Sequence, residues 1–216
     1  GNLKNPVNWP WLDVLNTSID NNVKVVITIT NFVPEEIHLL LTNIGIRKKL
    51  LDNIRDRLIA NGLSGVIIDF ENILDTDKEF AIRNFLQELK KNLAPFNYDY
   101  EISFATPAIN DGKWFFNNIL EYSDYLFVMG YDFYGSWSNT TGPSSPLIGI
   151  NYGLTKSLKD DYYSVPPEKL ILGVPYYGNY WQTNSKEDYA QVTPYDSTKA
   201  KNNWVKPALR YKEIFP

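Results

Sequence analysis

The chain has 216 residues, a net charge of −4 and a sequence pI near 5.1, with 44 % hydrophobic and 21 % charged residues. That is enough apolar material for one ordinary globular domain, and the acidic balance argues against a nucleic-acid partner. Cysteine is absent and histidine occurs once, at His38, so thiol catalysis, disulfide staples and Cys/His zinc sites drop out and carboxylates must carry any acid–base chemistry.

No apolar run is long enough to span a bilayer. His38 follows Pro34 in a polar stretch and reads as a helix-surface residue. Aromatic residues reach 15 %, with 6 Trp and 15 Tyr. Flat rings suit sugar faces, and they equally suit a core. Asn139-Thr140-Thr141 matches a glycosylation acceptor, a pattern common by chance.

In chain order, residues 1–22 hold Trp9, Trp11 and Leu12 but no pair of strands. Val23–Thr30 is a β-branched run that predicts a buried strand. Ile46, Leu50, Leu51, Ile54 and Leu58 recur at helical spacing, and Asn61-Gly62 is a helix stop. Gly65–Phe70 predicts a second strand. A helix follows with Phe80, Phe85, Leu86, Leu89 and Leu93 on its apolar face, Thr76 or Asp77 as cap and Pro95 just past its end.

Tyr100–Ala105 predicts a third strand, 114–120 a short helix, and Tyr125–Tyr131 a fourth strand. A Gly/Pro/Ser loop spans Phe133–Pro146, a helix lies around Tyr152–Leu158, and Leu170–Pro175 predicts a fifth strand. Beyond Tyr176 the text turns polar and aromatic, so 179–216 reads as a loop or insertion on a single domain covering 1–216. Strands alternating with helices predict an α/β fold with a covered parallel sheet. Nucleotide-binding glycine motifs do not occur, and chemistry at the carboxyl ends of strands favours a barrel.

The sharpest feature is Ser64-Gly-Val-Ile-Ile-Asp-Phe-Glu71. Alternation puts Gly65, Ile67, Asp69 and Glu71 on one face and the apolar Val66, Ile68 and Phe70 on the other. Two carboxyl groups so placed cannot both ionise cheaply, so one pKa should rise. A carboxyl group that keeps its proton near neutrality can protonate a leaving oxygen. Solvated acids at a strand end would give the same text. Met129-Gly-Tyr-Asp132 ends another strand, where the Tyr131 hydroxyl either reaches a pocket or caps a core ring.

These motifs together resemble the chitinase-like glycoside hydrolases of family 18. The family's signature strand, Asp-x-x-Asp-x-Asp-x-Glu, aligns with Ser64–Glu71 without gaps. Its Met-x-Tyr-Asp motif matches Met129–Asp132, and its LGxPxYG strand is similar to Leu172–Gly178. Ile102–Pro107 resembles the family's fifth strand, and order and spacing agree over residues 23–181. The Asp-Phe-Glu-Asn ending looks closer to the bacterial peptidoglycan and spore-cortex N-acetylglucosaminidase branch than to large chitinases.

The resemblance implies a (β/α)8 TIM-barrel type fold of which the third to seventh strands are found, an incomplete barrel that reads as a fragment. It implies hydrolysis of β-linked N-acetylglucosamine glycans, chitin or peptidoglycan, by attack of the substrate's own acetamido group, with no metal or organic cofactor. Glu71 matches the general acid and base. Asp69 matches the residue that orients and stabilises the acetamido group, Tyr131 the one that hydrogen-bonds its carbonyl, and Asp132 a binder of the distorted sugar. Met129, Tyr134 and Tyr177 are expected to line the cleft. Export, to the cell envelope or beyond, is expected with such substrates.

Two signature aspartates are replaced by Ser64 and Ile67. In the family the second shuttles charge with the neighbour that Asp69 matches, so its loss predicts an altered pH optimum or slower turnover. The rival reading is a chitinase-like lectin that binds glycans without cleavage. Such lectins usually lack the acid at the position of Glu71, which this chain keeps.

Overall fold

The computed structural model describes residues 2–7, 9–97, 99–193 and 209–210. Its main sheet has five strands in the order β1 (Val26–Asn31), β2 (Gly65–Phe70), β3 (Glu101–Pro107), β4 (Tyr125–Met129) and β5 (Leu170–Gly173). β1 pairs with β2 and β2 with β3 in parallel, with Val26 opposite Gly65 and Gly65 opposite Glu101. Strands in sequence order with helices between them are the succession of a (β/α) barrel, here represented by five strands.

Each helix is set by the spacing of its apolar residues. α1 (Leu12–Asp20) was not foreseen; it buries none of its residues, and its Asp, Val, Asn, Thr and Ser are weak helix formers, so neither a buried stripe nor propensity marks it. α2 (Pro34–Thr42) starts on Pro34 with Glu35 and Glu36 in its first turn, the arrangement a helix amino end favours. His38 lies on it as expected. Its Nδ1–H donates at 2.9 Å to Oδ2 of Asp77, which is buried.

α3 (Ile44–Ala60) is capped by Asn43, whose side chain accepts from the Ile46 N–H at 3.0 Å. It ends at Asn61-Gly62, with Gly62 at φ +60°. Leu50, Leu51, Ile54 and Leu58 are buried on one stripe.

α4 (Phe80–Leu93) buries Ile82, Phe85, Leu86, Leu89 and Leu93. Phe80 was expected on that stripe and is 61 % exposed. At 3.6 residues per turn it lies roughly 160° from the stripe's centre, and Ile82 takes its place. Thr76 and Asp77 do not cap the helix: the residue before it is Glu79, with no side-chain cap bond, and Asp75–Asp77 form a 3-10 turn.

That turn sits in an ion network. The Lys78 ammonium is 2.9 Å from Asp75 and lies over the Trp114 ring, and Lys113 is 2.7 Å from Asp75. Hydrogen bonds from Lys113 and then Lys78 hold the Asp75 carboxyl below its ordinary range.

Several expected strand and helix ends move. β1 begins at Val26 rather than Val23, β4 ends at Met129 rather than Tyr131, and β5 ends at Gly173 rather than Pro175. The helix expected at 114–120 is α5 (Phe116–Leu120). The one expected around Tyr152–Leu158 is a short turn, α6 (Leu154–Lys156), running into a π-helical turn at Ser157–Asp161.

Past Tyr176 a second, two-stranded antiparallel sheet joins β6 (Tyr177–Gly178) to β7 (Leu209–Arg210). A strand after Tyr195 was not expected. Pairing between segments some thirty residues apart leaves no local periodicity to read.

Contacts divide the chain into two compact units. The first comprises Gly1–Thr106, Asp111–Phe127 and Ser164–Ile171, and the second Pro107–Asn110, Val128–Tyr163 and Leu172–Pro216. The first holds a core of α2, α3 and α4 against the outer face of β2, where Val66, Ile68 and Phe70 are buried. Phe70 meets Phe85 of α4 at 5.8 Å between ring centroids.

Gly65 opens β2 where a side chain has no room. A Cβ there would stand 2.2 Å from the Glu101 carbonyl oxygen and 2.8 Å from its Cβ. Gly65→Ala is therefore expected to destabilise the protein by about 2–3 kcal/mol, lowering Tm by roughly 4–10 °C. A thermal melt unchanged within 1–2 °C, about the shift of half a kcal/mol, would show that β2 and β3 can part at no cost.

Candidate functional site

The acid pair is built by the end of β2. Its two faces behave as the alternation predicts: Val66, Ile68 and Phe70 are buried, while Ile67, Asp69 and Glu71 are only half-buried. The backbone N–H of Glu71 donates to the Asn31 carbonyl at 3.0 Å. That bond continues the parallel ladder one residue past the strand and fixes where the Glu71 side chain leaves the backbone.

Asp69 Oδ1 is sealed from solvent and has no hydrogen-bond partner among the described residues. Burial raises the Asp69 carboxyl above its ordinary pKa. The sequence led us to expect one raised carboxyl in the pair; at Asp69 the cause is desolvation by burial. Ile67, one pleat down on the same face, is apolar and offers no hydrogen bond where the family pattern has an aspartate.

The same face carries a third carboxyl group. Glu101 is the β3 partner of Gly65, and Ser103, the partner of Ile67, donates to Glu101 Oε1 at 3.4 Å. Glu101, Ser103 and Ala105 alternate in the sequence, so parity within β3 was the available signal for it.

The second unit holds the other group of candidates. Past Met129, the half-buried last residue of β4, the chain leaves the sheet through two consecutive tight turns: Gly130 N–H donates to Val128 and Tyr131 N–H to Met129, each at 2.8 Å. Gly130 is required there, because a Cβ would lie 2.7 Å from both the Gly173 carbonyl oxygen and a Leu172 methyl. Asp132 follows in the left-handed region at φ +60°.

Tyr131, Asp132 and Tyr177 come together. The Tyr177 hydroxyl donates to Asp132 Oδ1, and the Tyr131 and Tyr177 rings meet edge-on at 6.2 Å. Burial, and then the bond to Asp132, push the Tyr177 phenol above its ordinary value, so it keeps its proton and remains a donor.

Tyr134 serves differently. Its ring packs edge-on against Tyr189 at 5.7 Å, and its carbonyl accepts from the Asn179 side chain at 2.9 Å. Trp181 Nε1–H donates to the Gly135 carbonyl at 3.1 Å, and the Thr141 N–H to Ala190. These bonds pin the segment after β6 onto the loop after Asp132. Asn179 and Trp181 had no signal in the sequence beyond a polar, aromatic composition. Among the described residues there is no cluster of His, Cys, Asp or Glu that would hold a metal ion.

Comparison with known proteins bears on both groups. The chain is 28 % identical over 212 residues to the putative sporulation-specific glycosylase YdhD of Bacillus subtilis, covering 92 % of this chain and 47 % of the relative. It is 27 % identical over 199 residues to sporulation-specific chitinase 2 of Saccharomyces cerevisiae, covering 82 % and 38 %. The chain thus spans about half the length, or less, of these curated relatives.

The crystal structure of YdhD superposes with a TM-score of 0.73 at 26 % identity, over 93 % of this chain and 67 % of that one. The spore cortex-lytic enzyme SleL of Bacillus cereus gives 0.71 at 21 % identity, over 92 % and 46 %, and shares the fold. The model of the family "Glycosyl hydrolases family 18" matches residues 11–214. With both the acid-bearing strand and the Tyr-Asp turn inside that match, the chain belongs to glycosyl hydrolases family 18.

Proposed function

We propose that this chain carries the catalytic residues of a retaining glycoside hydrolase acting on β-linked N-acetylglucosamine glycans. The observation that carries the reading is the placement of Asp69 and Glu71 on one face at the carboxyl end of β2, with the opposite face wholly buried.

In the first step Glu71 gives its proton to the glycosidic oxygen while the substrate's acetamido oxygen attacks the anomeric carbon. The bond to the leaving sugar breaks and a cyclic oxazolinium forms. Asp69 accepts from the acetamido N–H and, once ionised, offsets the charge developing on that group. In the second step the Glu71 carboxylate takes a proton from water, whose oxygen attacks the anomeric carbon and reopens the ring.

Tyr131 is assigned the hydrogen bond to the acetamido carbonyl, and Asp132, held by Tyr177, a sugar hydroxyl. Met129 and Tyr134 are assigned to the lining of the cleft. Holding an internal nucleophile near attack geometry is where such a site gains most of its rate.

The names of the relatives, two of them sporulation-specific and one cortex-lytic, favour a structural wall glycan as substrate and action outside the cytoplasm. A glycan-binding lectin is the second reading, and retention of Glu71 weighs against it.

Internal attack inverts the anomeric centre twice, so the first product must be the β-anomer. Proton NMR of a fresh digest of an N-acetylglucosamine oligomer is expected to show β product first, relaxing to the mixture. Initial α product would overturn internal attack, and binding without product would turn the assignment to the lectin.

A further inference from the structure

The backbone immediately after Glu71 is held in an unusual state. Four non-glycine residues among those described have positive φ: Asn22, Asn72, Asp132 and Tyr189. Two of the four directly follow a residue assigned to chemistry, Asn72 after Glu71 and Asp132 after Tyr131. Left-handed backbone is disfavoured for a side chain with a Cβ, and Asn is among the few residues that tolerate it.

Asn72 has φ +56° and an exposed side chain. Its Nδ2 donates at 3.2 Å to the carbonyl of Phe32, just past the end of β1. One residue earlier, the Glu71 N–H is bonded to Asn31. One residue later, Ile73 is buried. The chain therefore runs straight through Glu71, bends at Asn72 and is tied to the end of the neighbouring strand by the Glu71 N–H and by the Asn72 side chain. An exposed residue contributes little packing. What it fixes is the peptide unit joining 71 to 72, and with it the direction in which Glu71 projects.

We propose that Asn72 is a positioning residue for Glu71: its left-handed backbone and its bond to Phe32 aim the acid. The inference rests on Glu71 being the proton donor. It separates the two contributions of Asn72, because glycine keeps the left-handed turn but cannot make the bond, whereas valine is hostile to the turn and also lacks the bond.

The test compares Asn72→Val and Asn72→Gly with the native protein on a natural N-acetylglucosamine oligomer, with a thermal melt and a crystal structure of each. Misaiming an acid by about 1 Å costs on the order of 10²-fold in rate, so Asn72→Val is expected to lose about that in kcat with KM within roughly threefold. Asn72→Gly should recover to within about tenfold of the native rate, since the turn is restored and only the tie is missing.

The Asn72→Val crystal structure should show the Glu71 carboxyl displaced by more than about 0.5 Å, the tolerance of a working constellation. Equal kcat in all three proteins, with Glu71→Gln inactive, would overturn the positioning role and leave the hydrolase reading standing. A native protein inactive on every glycan would end the hydrolase reading instead. The structures would then decide the geometry alone, and a Glu71 carboxyl unmoved in Asn72→Val would overturn it.

Discussion

Glu71→Gln is expected to lower turnover of a natural N-acetylglucosamine oligomer by at least about 10³-fold, within the range a positioned acid–base group supplies. The amide matches the carboxyl group in shape but can neither give a proton to the leaving oxygen nor take one from water. The fold should survive, because Glu71 is held through its backbone N–H to Asn31 and its side chain is only half-buried. Binding, measured by calorimetry with the same oligomer, should stay within about threefold, since loss of a group used only in the transition state leaves ground-state affinity alone.

A second substrate sharpens the result. An aryl glycoside with a good leaving group needs little protonation in the first step, yet its intermediate still needs a base in the second. The variant should therefore release a burst of phenol from the aryl glycoside and then stall. Turnover equal to native on both substrates would remove Glu71 from the mechanism.

How much of this was legible in the sequence differs from element to element. β2 was read with its ends correct, because GVIIDF is a β-branched run bounded by turn residues, and a strand buried on one face must alternate on the other. α4 was found but its face was misjudged at Phe80. Residues 80 and 85 are five apart, and five steps of a 3.6-residue helix carry the side chain well away from its starting face.

The cap assigned to Thr76 or Asp77 failed for an electrostatic reason. Asp77 is committed to His38 across to α2, and Asp75 to Lys113 and Lys78. Those partners are distant in sequence, so no local pattern announces them. β4 and β5 ended early where glycine and proline loosened the ladder, at Gly130 and before Pro175. The left-handed turns at Asn72 and Asp132 were open to inference from residue type, since Asn and Asp following a strand are turn formers. What the residue type does not give is the Phe32 or Tyr177 partner that holds each turn.

Asp69→Asn should move activity and stability in opposite directions. The wild-type carboxyl is raised above its ordinary pKa by burial, with Oδ1 sealed and unpartnered, so the folded protein holds its proton more tightly than the unfolded chain does. Above pH 3.8, the ordinary value, and up to the raised folded value, the folded state binds more protons. Stability is therefore lost as pH rises through that window, and Asp69 is a burden at neutrality.

Asparagine does not titrate. The Tm difference, variant minus native, should be near zero around pH 3 and turn positive as the pH is raised toward 7, with the rest of the chain's titration cancelling in the difference. Activity should fall by about 10²-fold or more, because a neutral amide cannot offset the charge that develops on the acetamido group. An unpartnered buried oxygen contributes nothing to stability, so a carboxyl retained there at a cost to the fold points to a functional role. An asparagine variant less stable than native at pH 7, or one retaining more than about half the native rate against the 10²-fold loss argued from charge, would make Asp69 a structural acid.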